Sequence, residues 1–143
     1  MTAFLLRAVE LARQARDRGD RPFGAVITDV AGNVLAEGRN GVTTSGDIRA
    51  HAELDAVANA RGPVTGGTVW ASGEPCPMCA AGMVWAGVSR IVFAAATRDF
   101  TPLLGGDGPR FTLTCAEVIA ASNAPIVVEG PVPVTGALDV FRA

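Results

Sequence analysis

His51-Ala52-Glu53 and Pro75-Cys76-Pro77-Met78-Cys79 constrain what this chain can fold into more than any other feature of its sequence. Together they offer one imidazole, two thiols and one carboxylate from two separate stretches of chain. Zinc held by three protein ligands keeps its fourth position for water, whereas a structural site usually closes all four with protein. The spacing therefore predicts a fold that brings the two stretches to one point, with a catalytic site there.

The geometry of each box says where that point lies. Residues two apart on an ideal helix point about 200° away from each other, so His51 and Glu53 cannot share a regular helix face. They converge if His51 sits in the first turn and the site lies over the helix's N-terminal end. Cys76 and Cys79 are three apart, which puts both sulfurs on one side of an opening turn. Helix N-termini also supply unpaired N–H groups and the positive end of the macrodipole, which favour thiolate ligands. Glu53 is then the carboxylate placed to take a proton from metal-bound water and return it.

Other readings of the same residues stay open at this stage. Cys-x-x-Cys alone also suits a redox pair. Cys115 could close the site as a fourth, structural ligand, although Leu113-Thr114-Cys115-Ala116 reads as an ordinary helix start with a buried thiol.

Composition narrows the function classes. The chain has 143 residues, a length that fits one domain over residues 1–143. Its residues are 49% apolar, yet no apolar run reaches the roughly 18 residues needed to cross a bilayer. Arg7, Glu10 and Arg13 interrupt the apolar pattern at the start, which does not read as a signal peptide. We expect a cytoplasmic protein without membrane contact. The surplus apolar surface suggests burial between subunits, most simply in a homodimer. Net charge is -2, the pI is about 5.3, and Lys is absent. The arginines form no continuous stripe to face phosphates, so a small, neutral substrate is expected rather than nucleic acid.

Along the chain, apolar residues recur at helical spacing from Phe4 to Ala15, and Gly19 reads as the stop. Runs 23–30 and 34–36 read as a hairpin, 40–48 as a loop, and 51–60 as a helix. A strand over 68–72 leads to a helix that opens at Pro77 and stops at Gly87. A buried strand over 91–95 follows, then a Gly/Pro-rich loop over 98–110, which at this length suggests a lid. Thr114 starts a helix to Ser122, and 126–129 is a last strand before a short C-terminal helix. This order predicts an α/β fold, a mixed sheet with helices on both faces.

The two boxes resemble the signature of zinc-dependent cytidine deaminase-like enzymes. The likeness extends to Arg21-Pro22-Phe23-Gly24-Ala25-Val26, Gly38-Arg39-Asn40, Thr43-Thr44-Ser45 and Ser72-Gly73-Glu74, and is nearest the guanine deaminase, or nucleobase deaminase, branch. It covers residues 1–96 and thins after Ala96. The resemblance implies a three-layer α/β/α sandwich with a mixed sheet of about five strands. It implies one Zn²⁺ per subunit on His51, Cys76 and Cys79, with Glu53 as the catalytic proton shuttle. Asn40 and the Ala52 N–H would bind the base, and Phe23 and Trp85 would line or stack on its ring. The implied reaction is hydrolytic deamination of a free base, guanine-type first, with isoguanine, cytosine or triazine analogues as alternatives. Two rivals remain: a tRNA adenosine-to-inosine deaminase, and a non-catalytic zinc-stabilised module. Asp99 and Asp107 lie in the stretch where a guanine-recognising acid would be expected, although each taken singly reads as a solvated loop residue.

Overall fold

A computed structural model describes residues 2–142. The first helix, α1 (Thr2–Asp17), buries Leu5, Ala8, Val9, Leu11, Ala12 and Ala15, the face that the sequence period marks as apolar. It is followed by the hairpin β1 (Gly24–Thr28) and β2 (Val34–Arg39), the single turn α2 (Val42–Ser45), and α3 (Ala52–Asn59). Strand β3 (Thr68–Gly73), helix α4 (Pro77–Ala86), strand β4 (Arg90–Ala95) and helix α5 (Thr97–Leu104) come next. Helix α6 (Cys115–Ala120), strand β5 (Val127–Glu129) and a 3-10 turn (Asp139–Phe141) complete the order.

The strands form one five-stranded mixed sheet in the order β2-β1-β3-β4-β5. β1 runs antiparallel to both neighbours, while β3, β4 and β5 are parallel. Central strands are covered on both faces and read as continuous apolar runs, which is why β1 is buried throughout and β3 and β4 nearly so. On one face Val26, Trp70 and Val92 pack with α1, Phe100 and the C-terminal Phe141. On the other Ile27, Val69 and Ile91 pack with Ala52 and Ala56 of α3, Met83 of α4 and Ile119 of α6. The result is the three-layer α/β/α sandwich expected.

Strand direction fixes where the site can be. Because β2 and β3 both run opposite to β1, they point the same way, and β4 runs with them. The helices that follow them, α3, α4 and α5, therefore all begin beyond the same edge of the sheet, where open α/β sheets place their ligands.

Gly38 lets α3 lie directly on β2. A Cβ at this position would collide with the Ala52 carbonyl oxygen and the Ala56 backbone nitrogen, neither of which can swing aside as a side chain would. Gly38→Ala is expected to lower stability by about 1–3 kcal/mol and to shift the start of α3. Urea denaturation reads the first effect, and a loss of bound zinc reads the second.

Three local expectations differ from the structure. The stretch 98–110 is not all loop, because Thr97–Leu104 is helical despite Pro102. Phe100 there is buried against Phe23 and Phe141, and that packing outweighs the local breaker. Residues 42–45 form one helical turn inside the expected loop, and the C-terminal helix is a single 3-10 turn.

Candidate metal centre

His51 and Cys76 each occupy the position just before a helix, His51 before α3 and Cys76 before α4, both with extended backbone. Pro77 takes the first helical position of α4, where a missing N–H leaves nothing unpaired. Cys79 is one turn further along and fully buried. His51 Nδ1 lies 3.5 Å from Cys76 Sγ and 3.5 Å from Cys79 Sγ, and the three ligand atoms are all within 4.8 Å of one another.

These separations suit zinc. Arms of about 2.0 Å to nitrogen and 2.3 Å to sulfur, opened to a tetrahedral angle, put the two atoms about 3.5 Å apart. Among the described residues no fourth His, Cys, Asp or Glu joins the cluster. Cys115, considered above as a closing ligand, is outside it; it is buried near the start of α6, and burial pushes its thiol up to about 12. Three ligands and no fourth is the donor set of a catalytic zinc site rather than a closed one.

The electrostatics fit ligation. A hydrogen bond from the Cys79 thiol, reinforced by His51, holds Cys76 down to about 4, and the same pairing with Cys76 pushes Cys79 up. Zinc competes with that shared proton and favours both sulfurs as thiolates. Glu53, in the first turn of α3, is 4% exposed, and burial pushes its carboxyl up to about 7.

A cleft of about 530 Å³ opens beside the cluster, and His51, Ala52, Glu53 and Cys76 all line it, as do Phe23 and Asn40. Asn40 is almost fully buried. Its Oδ1 accepts the Val42 N–H at 3.1 Å, so the side-chain amide group is what remains to meet a ligand. Phe23 meets Phe100 edge to face at 5.3 Å, and Phe141 stacks on Phe100 at 4.7 Å behind them. Trp85 is not brought to this cleft. It stands at the other end of α4 and is 89% exposed. Asp99 and Asp107 do not line the cleft either.

Two positioning residues were not assigned a role from sequence. Glu74 is buried, and its Oε1 accepts the Thr97 N–H while Oε2 accepts the Cys115 N–H, each at 3.0 Å. It thus ties the starts of α5 and α6 to the loop that carries Cys76. Glu74→Ala strands both N–H groups and is expected to cost about 3 kcal/mol, read by urea denaturation. Asp20 does similar work beneath Asn40. Its carboxylate accepts from the Thr44 N–H and hydroxyl and from Arg18 Nε, while Arg18 Nη2 donates to the Asn40 carbonyl at 2.8 Å. For Glu74 the available signal was a carboxylate following the uncharged run Thr68 to Gly73, which demands a partner when buried. Asp20 instead sits among Asp17, Arg18 and Arg21, and its neighbours give no hint of burial.

The pattern described as the cytidine and deoxycytidylate deaminase zinc-binding region matches residues 1–95. The chain belongs to this family. A probable cytosine deaminase of Schizosaccharomyces pombe is 34% identical over 134 residues, 90% of this chain and 82% of that protein. The guanine deaminase of Bacillus subtilis is 43% identical over 103 residues, 67% of this chain and 65% of its own length. A solved guanine deaminase from Nitrosomonas europaea superposes with a TM-score of 0.78 at 25% identity, over 98% of this chain and 81% of that one. tRNA-specific adenosine deaminases are matched as well. The family is zinc-binding, and His51, Cys76 and Cys79 provide a metal site for it. The chain is accordingly a deaminase-family protein of the class that hydrolyses C–N bonds. No helix among the described residues is long and apolar enough to cross a membrane.

Proposed function

We propose that this protein is a zinc-dependent hydrolytic deaminase of a free nucleobase or base-like ring, working as one deaminase domain. Guanine-type rings are the first to test, and isoguanine, cytosine and triazine analogues follow. The observation that carries the reading is the buried Glu53 carboxyl opening on the same cleft as His51 and Cys76.

Zinc on His51, Cys76 and Cys79 would acidify a bound water and so supply the nucleophile. Each other part falls to the chain's own groups. Glu53 takes one proton from the water side and delivers it to the ring nitrogen beside the amino-bearing carbon. It then takes a second from the hydroxyl now on that carbon and delivers it to the departing amino group, which leaves as the carbonyl forms and the ring nitrogen keeps its proton. Ring amine and water thereby become ring carbonyl and ammonia, and the carboxylate is restored. The Asn40 side-chain amide and the Ala52 N–H hold acceptors on the ring edge, and Phe23 supplies an apolar face to its plane.

The tRNA reading has relatives in its favour, but net charge -2 and the absence of Lys weigh against a polyanionic partner. The proposed location is the cytoplasm, where a reducing environment keeps Cys76 and Cys79 available as thiolates. A homodimer is proposed through the outer face of α4, where Met78 and Trp85 are exposed. Ammonia release from a panel of bases and nucleosides, with tRNA as a further arm, tests the function. The reading requires turnover of at least one free ring above the Glu53→Ala blank, and turnover of tRNA alone would contradict it.

A further inference from the structure

The rim of the cleft carries charge of one sign. Arg21, Arg98 and Arg110 line it, and the acidic groups that reach the cleft are Glu53 and Glu74. Glu74 has little to offer a ligand, because each of its oxygens already accepts a backbone N–H. Glu53 stands at the reacting end. Acids outnumber bases 14 to 12 in the chain, so the lack of a compensating carboxylate at the rim is local and not a shortage.

Elsewhere most arginines are engaged, Arg61 being the exception among the described residues. Arg7 holds Glu37, Arg18 holds Asp20, Arg49 holds Asp47, and Arg90 holds Glu129. Among the described residues Arg21 and Arg98 have no hydrogen bond or salt bridge from their guanidinium groups, although Arg21 lies 5.7 Å over the Phe23 ring. Arg110 donates to the carbonyls of Thr101, Gly105 and Gly106, which leave its charge uncompensated. Between these cations the walls are largely apolar, with Phe100, Pro102, Leu104 and Phe111 among them. Charges of one sign over low-dielectric walls focus their field into a cleft, and the guanidinium fork matches the paired oxygens of a carboxylate or phosphate. A volume of about 530 Å³ is also in the range that houses drug-sized ligands, more than a bare six-membered ring fills.

Resting on the deaminase reading above, we propose that the substrate is an aminated heterocycle bearing an anionic substituent, a carboxylate or a phosphate ester. Arg21 and Arg98 hold that substituent at the rim while the amino-bearing carbon faces Glu53. Arg110 adds its charge from the loop after α5.

Product-type ligands, which lack the amino group, read binding apart from turnover. Calorimetry on the zinc-loaded full chain would compare uracil with uracil-6-carboxylate and with uridine 5′-monophosphate, and xanthine with xanthosine 5′-monophosphate. At least one anionic member is expected to bind about 10-fold tighter than its neutral parent or more, the size of one charge-assisted contact. Whether the carboxylate or the phosphate arm wins identifies the anion. That preference should fall toward unity in the Arg21→Gln/Arg98→Gln double variant, whose two positions are exposed, and should shrink with added salt. Neutral rings binding as tightly as anionic ones, or a preference that survives the double substitution, would overturn the proposal. So would displacement of the anionic ligand by a tRNA anticodon stem at physiological salt, which would assign the rim to a polynucleotide. The two readings fail separately: ammonia from neutral rings with no anionic preference removes only this inference. Absence of both binding and ammonia release for every ring removes the deaminase reading itself.

Discussion

Glu53→Gln is expected to keep one zinc per chain and to turn the proposed substrate over about 10³-fold more slowly than the wild type. Gln has the shape of Glu and fits the same buried position at the start of α3, but it cannot accept and return a proton at neutral pH. The loss should lie in kcat, because the missing transfers occur after the ring is bound. Stability should move the other way or stay level, since a carboxyl kept from water at 4% exposure carries a desolvation cost that the amide reduces. Metal analysis, steady-state ammonia release and a thermal melt on the same preparation check all three. Wild-type turnover in this variant would remove Glu53 from the chemistry, and loss of zinc would make it a ligand instead.

Cys76→Ser or Cys79→Ser is expected to empty the metal site, whereas Cys115→Ser leaves it filled. Each of the first two removes a thiolate from a three-ligand set, and a hydroxyl is a poor replacement for soft zinc. Zinc content after dialysis should fall from about one equivalent per chain to about a tenth or less. Folding stability should fall with it, because a metal that binds only the folded chain stabilises that chain by mass action. Cys115 lies outside the cluster, packed near Ile119 and beneath Glu74, so its replacement is felt as a small buried polar change with metal retained. If Cys115→Ser lost zinc, the site would be a closed, structural one.

The elements around the site were legible because local signals there agree. Pro77 and Gly87 bracket α4, and the alternation of short apolar runs with helical periods gave the strands in order. The spacing of the two boxes placed both over helix N-terminal ends, with His51 in the first turn; the structure sets His51, like Cys76, one residue ahead of its helix with extended backbone. Trp85 was harder to place for a physical reason. Helix α4 is apolar nearly all round, so its sequence does not say which side is buried. The fold turns Cys79, Ala80 and Met83 inward, and Met78 and Trp85 outward. Helix α5 was hidden because Pro102 and the glycines beyond it are strong local breakers. Its formation depends on Phe100 reaching Phe141, some forty residues away in sequence. The roles of Glu74 and Asp20 depend on which backbone N–H groups come within reach, and that is settled by tertiary packing alone.

The account rests on a zinc ion held by one nitrogen and two sulfurs with a place left for water. X-ray absorption at the zinc edge on the wild-type protein tests this most directly. It should report two sulfurs at about 2.3 Å and two lighter neighbours at about 2.0 Å, one from His51 and one from solvent oxygen. A third sulfur, or a shell made wholly of protein ligands, would contradict it.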